Sequence, residues 1–154
     1  MRKPNDKMYK VEKDLIDSKS VNVGSSATMT EVSLFENQYG IEFPTEIRQF
    51  YLELNGYTNE GDMVNFYRLE DLRKTYESGL NLPPIDVIDD FFVLGDFGFQ
   101  ASFWLLEILG DSYKLYVLNL GTVKLIEMTL SFKSFFSRLL DDPYTVLEIE
   151  IWKV

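Results

Sequence analysis

Residues 101–128 read ASFWLLEILGDSYKLYVLNLGTVKLIEM. They hold three apolar-rich runs, Ala101 to Ile108, Tyr113 to Leu120 and Val123 to Met128, parted only by Gly110-Asp111 and Gly121-Thr122. Links this short leave no room for a crossover helix, so consecutive runs pair antiparallel as a meander. Ala101 to Ile108 is apolar at nearly every position, the expectation for a central strand covered on both faces. Downstream, Ser131 is placed to cap a helix in which Phe132, Phe135, Phe136, Leu139 and Leu140 fall at i, i+3, i+4, i+7 and i+8. Past Asp141-Asp142-Pro143, Leu147, Ile149 and Ile151 alternate with Glu148, Glu150 and Trp152, which predicts an amphipathic terminal strand. That strand either completes this sheet or pairs with another copy's edge, and periodicity leaves the oligomeric state open.

Upstream, Phe91 to Leu94 reads as a short strand and Gly95-Asp96-Phe97-Gly98 as a turn with two glycines free to take positive φ. Leu80 to Pro84 is a loop, Glu70 to Ser78 a short helix stopped by Gly79, and Met63 to Leu69 a strand. Ile47, Phe50, Tyr51 and Leu54 make one helical stripe that ends at Asn55-Gly56, with Pro44 suited to its first turn. Before it, Val32, Phe35 and Tyr39 repeat at helical spacing between an N-cap at Thr30 and a left-handed stop at Gly40. Ile41 to Pro44 is an extended link. Residues 6–20 have helical character but sparse apolar positions, and Ser18 to Ser26 is a loop. With no repeats or low-complexity tracts, the expectation is one α+β domain over 1–154. It divides into a basic N-terminal extension (1–28), a core (30–140) and a C-terminal strand (144–154).

The 154 residues include no Cys and no His. Thiol nucleophiles, Ser-His-Asp triads, Cys/His zinc sites and disulfides are therefore excluded. No run approaches the ~20 apolar residues of a membrane span, and the polar start, Met1-Arg2-Lys3-Pro4-Asn5-Asp6, lacks a signal peptide's apolar core. A cytoplasmic protein is expected. Net charge is -10, with 15 basic and 25 acidic residues. Six of the bases lie in residues 1–20 (Arg2, Lys3, Lys7, Lys10, Lys13, Lys19), so the remainder is strongly acidic. Such a body repels phosphate backbones and anionic lipid, which argues against direct nucleic-acid or membrane binding, and it attracts a basic protein partner. The alternative is that the charge serves solubility alone.

The order of signals resembles the SUKH superfamily, which groups a yeast cell-wall-synthesis regulator with many bacterial immunity proteins. The residues that carry the resemblance are Phe35-Glu36, Gly40, Phe43-Pro44, Ile47 to Leu54 and Asn55-Gly56, then Phe66-Tyr67-Arg68-Leu69-Glu70-Asp71-Leu72. Gly95-Asp96-Phe97-Gly98-Phe99 follows, leading into Ser102-Phe103-Trp104, and the pattern closes on Ser131-Phe132 and Phe135-Phe136. Phe43 stands where the family usually has Leu. The resemblance spans roughly residues 30–140 and implies an α+β fold, a mainly antiparallel sheet and flanking helices. It also implies a non-enzymatic role: an antitoxin-like immunity protein that binds and neutralises a cognate toxin, often a nuclease or deaminase. The acidic charge adds the expectation that this toxin has a basic active-site face.

Residues 75–113 contain seven acidic residues, Glu77, Asp86, Asp89, Asp90, Asp96, Glu107 and Asp111, and no Lys or Arg. An acidic surface of this kind mimics the phosphate field that a nuclease cleft expects; solvated loop carboxylates are the alternative. Phe97 and Phe99 interleave with them at a turn, where exposed aromatics would serve as interface anchors, whereas Trp104 is expected in the core. The expected partner-binding set is thus Asp86, Asp89, Asp90, Asp96, Phe97, Phe99, Glu107 and Asp111. Glu36 is read first as a structural hydrogen-bond acceptor and second as a partner contact. No catalytic, cofactor or metal residue is assigned: counting from Asp86, an EF-hand would place ligands at Ile88 and Phe97, and no phosphate loop or dinucleotide fingerprint occurs. Asp96-Phe97-Gly98 matches a kinase triplet without the rest of the kinase set. Two other functions stay open, an intracellular scaffold or regulatory adaptor of the same fold and a carboxylate-dependent hydrolase.

Overall fold

A computed structural model describes residues 7–17, 25–77, 90–121 and 124–147. The helices are α1 (Lys10–Asp17), α2 (Met29–Tyr39), α3 (Thr45–Glu53) and α4 (Phe132–Asp141). The strands are β1 (Tyr57–Asn59), β2 (Val64–Phe66), β3 (Arg73–Lys74), β4 (Phe92–Phe97), β5 (Ser102–Leu109), β6 (Ser112–Asn119) and β7 (Lys124–Met128). They form one antiparallel sheet in the order β1-β2-β4-β5-β6-β7, with β3 also paired to β4. This is the α+β architecture expected, and the β5–β6–β7 meander is in place, β5 pairing with β6 from Ser102↔Asn119 to Leu109↔Ser112.

Alternation along the strands sends side chains to two apolar clusters. Val64, Phe66, Phe92, Trp104, Leu106, Leu115, Val117 and Met128 face the helices, where they meet Ile47, Phe50, Phe132, Phe135, Phe136 and Leu139. Phe50 is the hub, with ring centroids 4.8–5.8 Å from those of Tyr9, Tyr51, Phe66, Phe132 and Phe136. On the opposite face Phe91, Val93, Phe103, Leu105 and Leu118 form a second buried cluster. Strand β5 is therefore covered on both sides, and Trp104 is core.

Several local readings are corrected, some within the element itself and some by its neighbours in the fold. Thr28, not Thr30, caps α2, because Glu31 lies three residues on and closes a capping box: Glu31 N–H donates to Thr28 Oγ1 and Thr28 N–H to Glu31 Oε1. Pro44 sits at the N-cap of α3 rather than inside its first turn. The Met63 to Leu69 strand shrinks to Val64–Phe66, and Tyr57–Asn59 supplies an unforeseen partner strand. In place of a helix from Glu70, two 3₁₀ turns (Leu69–Asp71 and Thr75–Glu77) flank β3, because β4 recruits Arg73 and Lys74 into the sheet. Gly95, Asp96 and Phe97 belong to β4, and the turn starts only at Gly98. Leu147 ends a 3₁₀ turn, Pro143–Val146; the rest of the expected terminal strand, with the Leu80 to Pro84 loop, lies outside the described residues.

The described part of the N-terminal segment is built into the core. Glu53 accepts the N–H groups of Met8 and Tyr9, and the buried Glu12 carboxylate accepts from Lys133 Nζ (2.7 Å) and Ser137 Oγ (2.8 Å) on α4. Burial pushes Glu12 up, but the hydrogen bonds from Lys133 and Ser137 and its own backbone N–H outweigh it, so the carboxyl is held below its usual range. The unfolded chain then takes this proton first as pH falls. The pair's contribution is complete above the ordinary glutamate value of about 4.3 and is lost as pH drops through the lower folded value. Glu12→Gln is expected to cost about 1 kcal/mol at pH 7, and urea titrations should show the gap between variant and wild type closing below about pH 4.

Candidate partner-binding site

Glu36, buried on α2, accepts the Phe43 N–H (2.6 Å) and Arg48 Nη2 (2.9 Å). The α2–link–α3 corner is thus clipped by one carboxylate, and the structural reading of Glu36 holds. Asn55 does the same for the next corner, with φ of 54°, its amide donating to Ser25 O and accepting from Leu69 N–H at 2.7 Å. These two pattern residues, Glu36 and Asn55, build the frame of the fold.

The six described members of the sequence-derived set do not gather into one patch. Asp86 and Asp89 lie outside the described residues. Asp90 is exposed and pairs with Lys74 Nζ at 2.7 Å. Glu107 is half-buried and accepts from the Tyr116 hydroxyl at 2.9 Å; burial first, and this carboxylate second, push that hydroxyl's pKa up to about 12. Asp111 is exposed at the β5–β6 turn, on the rim of a shallow 280 Å³ cleft shared with Glu42, Pro44 and Arg48. Asp96 and Phe97 are buried, so neither is the exposed contact expected of it. Their place inside β4 is the reason: Phe97 turns toward the helical side and meets the Tyr144 ring edge-on at 5.3 Å, while Asp96 points to the other face.

Of the two aromatic candidates Phe99 is the presented one, 88% exposed at the β4–β5 turn. Asp111 marks the opposite end of β5, some 24 Å away at ~3.4 Å per residue. The turn that holds Phe99 is unusual, since Gly98, Phe99 and Gln100 all have positive φ (65°, 54° and 68°). Only glycine takes that region without cost, so the ring is displayed against a local backbone penalty. Asp96 braces it from below: its carboxylate accepts from the Tyr67 hydroxyl (2.6 Å) and from the Gln100 backbone N–H. Burial raises the Asp96 pKa, and those two hydrogen bonds only partly offset it.

Two further loops meet this turn. Met63, at φ 58° in the β1–β2 turn, accepts the Gly98 N–H through its carbonyl at 3.0 Å. Tyr144, in the last 3₁₀ turn, lies against Phe97. Met63 and Tyr144 are 37% and 55% exposed, and Glu60, Asp62, Asp141 and Asp142 beside them are exposed carboxylates. Residues 57–67, 96–102 and 139–147 contain no Lys or Arg. Sequence reading missed Met63 and Tyr144, because their meeting with Gly98 and Phe97 at the β4–β5 turn is tertiary.

A second concavity of about 420 Å³ runs between α2 and the Leu69–Glu77 segment, lined by Leu34, Tyr39, Glu70, Arg73 and Glu77, with the Tyr39 hydroxyl donating to Glu77. Among the described residues no group of three carboxylates is arranged to hold a metal, and no helix is long and apolar enough to cross a membrane.

The model of the SMI1/KNR4 family (SUKH-1) matches residues 26–138. The chain belongs to this family. No curated protein matches it individually. The SUKH-1 span runs from the approach to α2 into α4, and so takes in the Glu36 clip, Met63 and Phe99; α1 and Tyr144 fall outside it.

Proposed function

We propose that the chain is an immunity protein that binds a cognate bacterial toxin domain, a nuclease or another toxin with a cationic active site, and neutralises it by occlusion. The observation that carries this reading is SUKH-1 membership, and a net charge of -10 supports its electrostatic part. A body of this charge steers a basic partner toward itself and repels nucleic acid, so the complex forms by occupying the toxin's substrate site without any bond being made or broken. The protein acts in the cytoplasm, where the toxin would act.

The test is co-expression with the product of the neighbouring open reading frame, which this reading expects to carry a toxin domain, followed by pull-down and calorimetry on a catalytically inactivated copy. Protection of the cell and a 1:1 complex are expected. Its Kd should rise about tenfold or more as salt shortens the Debye length from ~10 Å to ~3 Å. A complex insensitive to salt removes the electrostatic part. No complex and no protection removes the immunity reading and leaves the intracellular adaptor.

A further inference from the structure

We infer that the partner is gripped by the tip formed where the β1–β2 and β4–β5 turns meet the last 3₁₀ turn, with Phe99 as the anchor that enters an apolar pocket in a basic face. The inference rests on the immunity reading and goes beyond it in naming the surface. Three observations carry it. Phe99 is 88% exposed, and Met63 and Tyr144, also exposed, lie on the two loops that contact its turn, so three apolar side chains are presented at one end of the sheet. The ring gains nothing in the fold from this position and is held in a left-handed turn that glycine would occupy more easily, a pattern that marks a residue kept for contact rather than stability. Finally, Glu60, Asp62 and Asp142 stand around the apolar centre in segments free of Lys and Arg. Lys124 stands at the same end of the sheet, two strands from β5 and about 10 Å away. An apolar centre inside an acidic rim fits a partner with the inverse arrangement, a cavity for one aromatic ring among lysines and arginines.

The Asp96 carboxylate acts as a positioning group in this scheme. It fixes Gln100 N–H and Tyr67 from the buried side, so the turn is rigid before the partner arrives and less ordering entropy is lost on binding.

Phe99→Gly separates display from folding. It should raise Tm by about 2 °C, because the left-handed penalty is relieved. The same substitution should weaken the complex with the inactivated neighbouring toxin domain at least tenfold, about 1.4 kcal/mol. Neutralising Glu60, Asp62 and Asp142 together, as Gln, Asn and Asn, should slow association and flatten its salt dependence while leaving Tm within about 2 °C. Leu34→Ser, in the α2 groove, should leave affinity unchanged. If wild type binds and Phe99→Gly binds within twofold of it, the tip is not the grip and the immunity reading survives. A Tm lowered by several degrees in Phe99→Gly, or affinity lost in Leu34→Ser instead, overturns the tip in the same way. Absence of any wild-type complex overturns both.

Discussion

Gly95→Ala is expected to destabilise the protein by about 3 kcal/mol, a fall in Tm of roughly 6–12 °C for a chain of this size. A β-carbon built on Gly95 would stand 2.5 Å from Asn65 O and 2.9 Å from Phe66 Cα, both backbone atoms of β2. Neither can rotate away as a side chain would, so relief requires β2 to move off β4. That displacement breaks a ladder of three residue pairs, Val64↔Phe97, Asn65↔Asp96 and Phe66↔Gly95. It also opens the core under Phe66, which stacks on Phe50 at 5.2 Å. The close approach belongs to the register irregularity in β4 between Val93 and Gly95, which turns Gly95 inward against its neighbour. Gly40→Ala is the control: its φ is 64°, but nothing lies within 4 Å, so only the conformational cost of about 1 kcal/mol remains. Urea unfolding of both variants decides the matter. An alanine at 95 that costs no more than the alanine at 40 would mean the strands part without penalty.

Gly95 also shows where sequence reading stopped. Between Phe91 to Leu94 and a second glycine at 98, it looks like turn chemistry; what places it in a strand is the backbone of β2, thirty residues away. The same limit applies to Glu70 to Ser78, where helical composition yields to pairing of Arg73 and Lys74 with β4, and to Asp96, whose charge suggested surface although Tyr67 holds it inside. Elements whose signal is local and periodic were legible. The α3 stripe of Ile47, Phe50, Tyr51 and Leu54 and the α4 face from Phe132 to Leu140 are buried throughout. Short turns at Gly110-Asp111 and Gly121 dictated the meander through chain length alone. The family pattern was legible for the same reason, since apart from the exposed Phe99 most of its residues are caps, corners and core positions. Contact residues obey no such periodicity. Phe99 was singled out because it fell at a turn, whereas Met63 and Tyr144 join it only through the fold.

Glu36→Ala is expected to cost about 2–3 kcal/mol while leaving partner affinity intact in the molecules that remain folded. The carboxylate is the acceptor for the Phe43 N–H at the start of the Phe43-Pro44 link and for Arg48 Nη2 one turn into α3. Truncation strands both. The Phe43 amide stays buried without an acceptor, and Arg48, whose Nε has no partner among the described residues, keeps of its ion pairs there only the 3.5 Å contact to exposed Glu42. Hydrogen bonding to Glu36 is the main reason the Arg48 guanidinium holds its proton more tightly than usual, so the loss falls on a charge that the fold has partly desolvated. Glu36→Gln separates the two components: its amide oxygen still accepts from Phe43 N–H, so the loss should shrink to about 1 kcal/mol. Combining Glu36→Ala with Arg48→Ala should cost less than the sum of the single changes, because the stranded guanidinium is gone. A partner complex that weakens in Glu36→Gln more than the fold does would make this carboxylate a contact after all. Retention of affinity at reduced Tm fits a clip that holds α2 against α3 while binding happens elsewhere on the molecule.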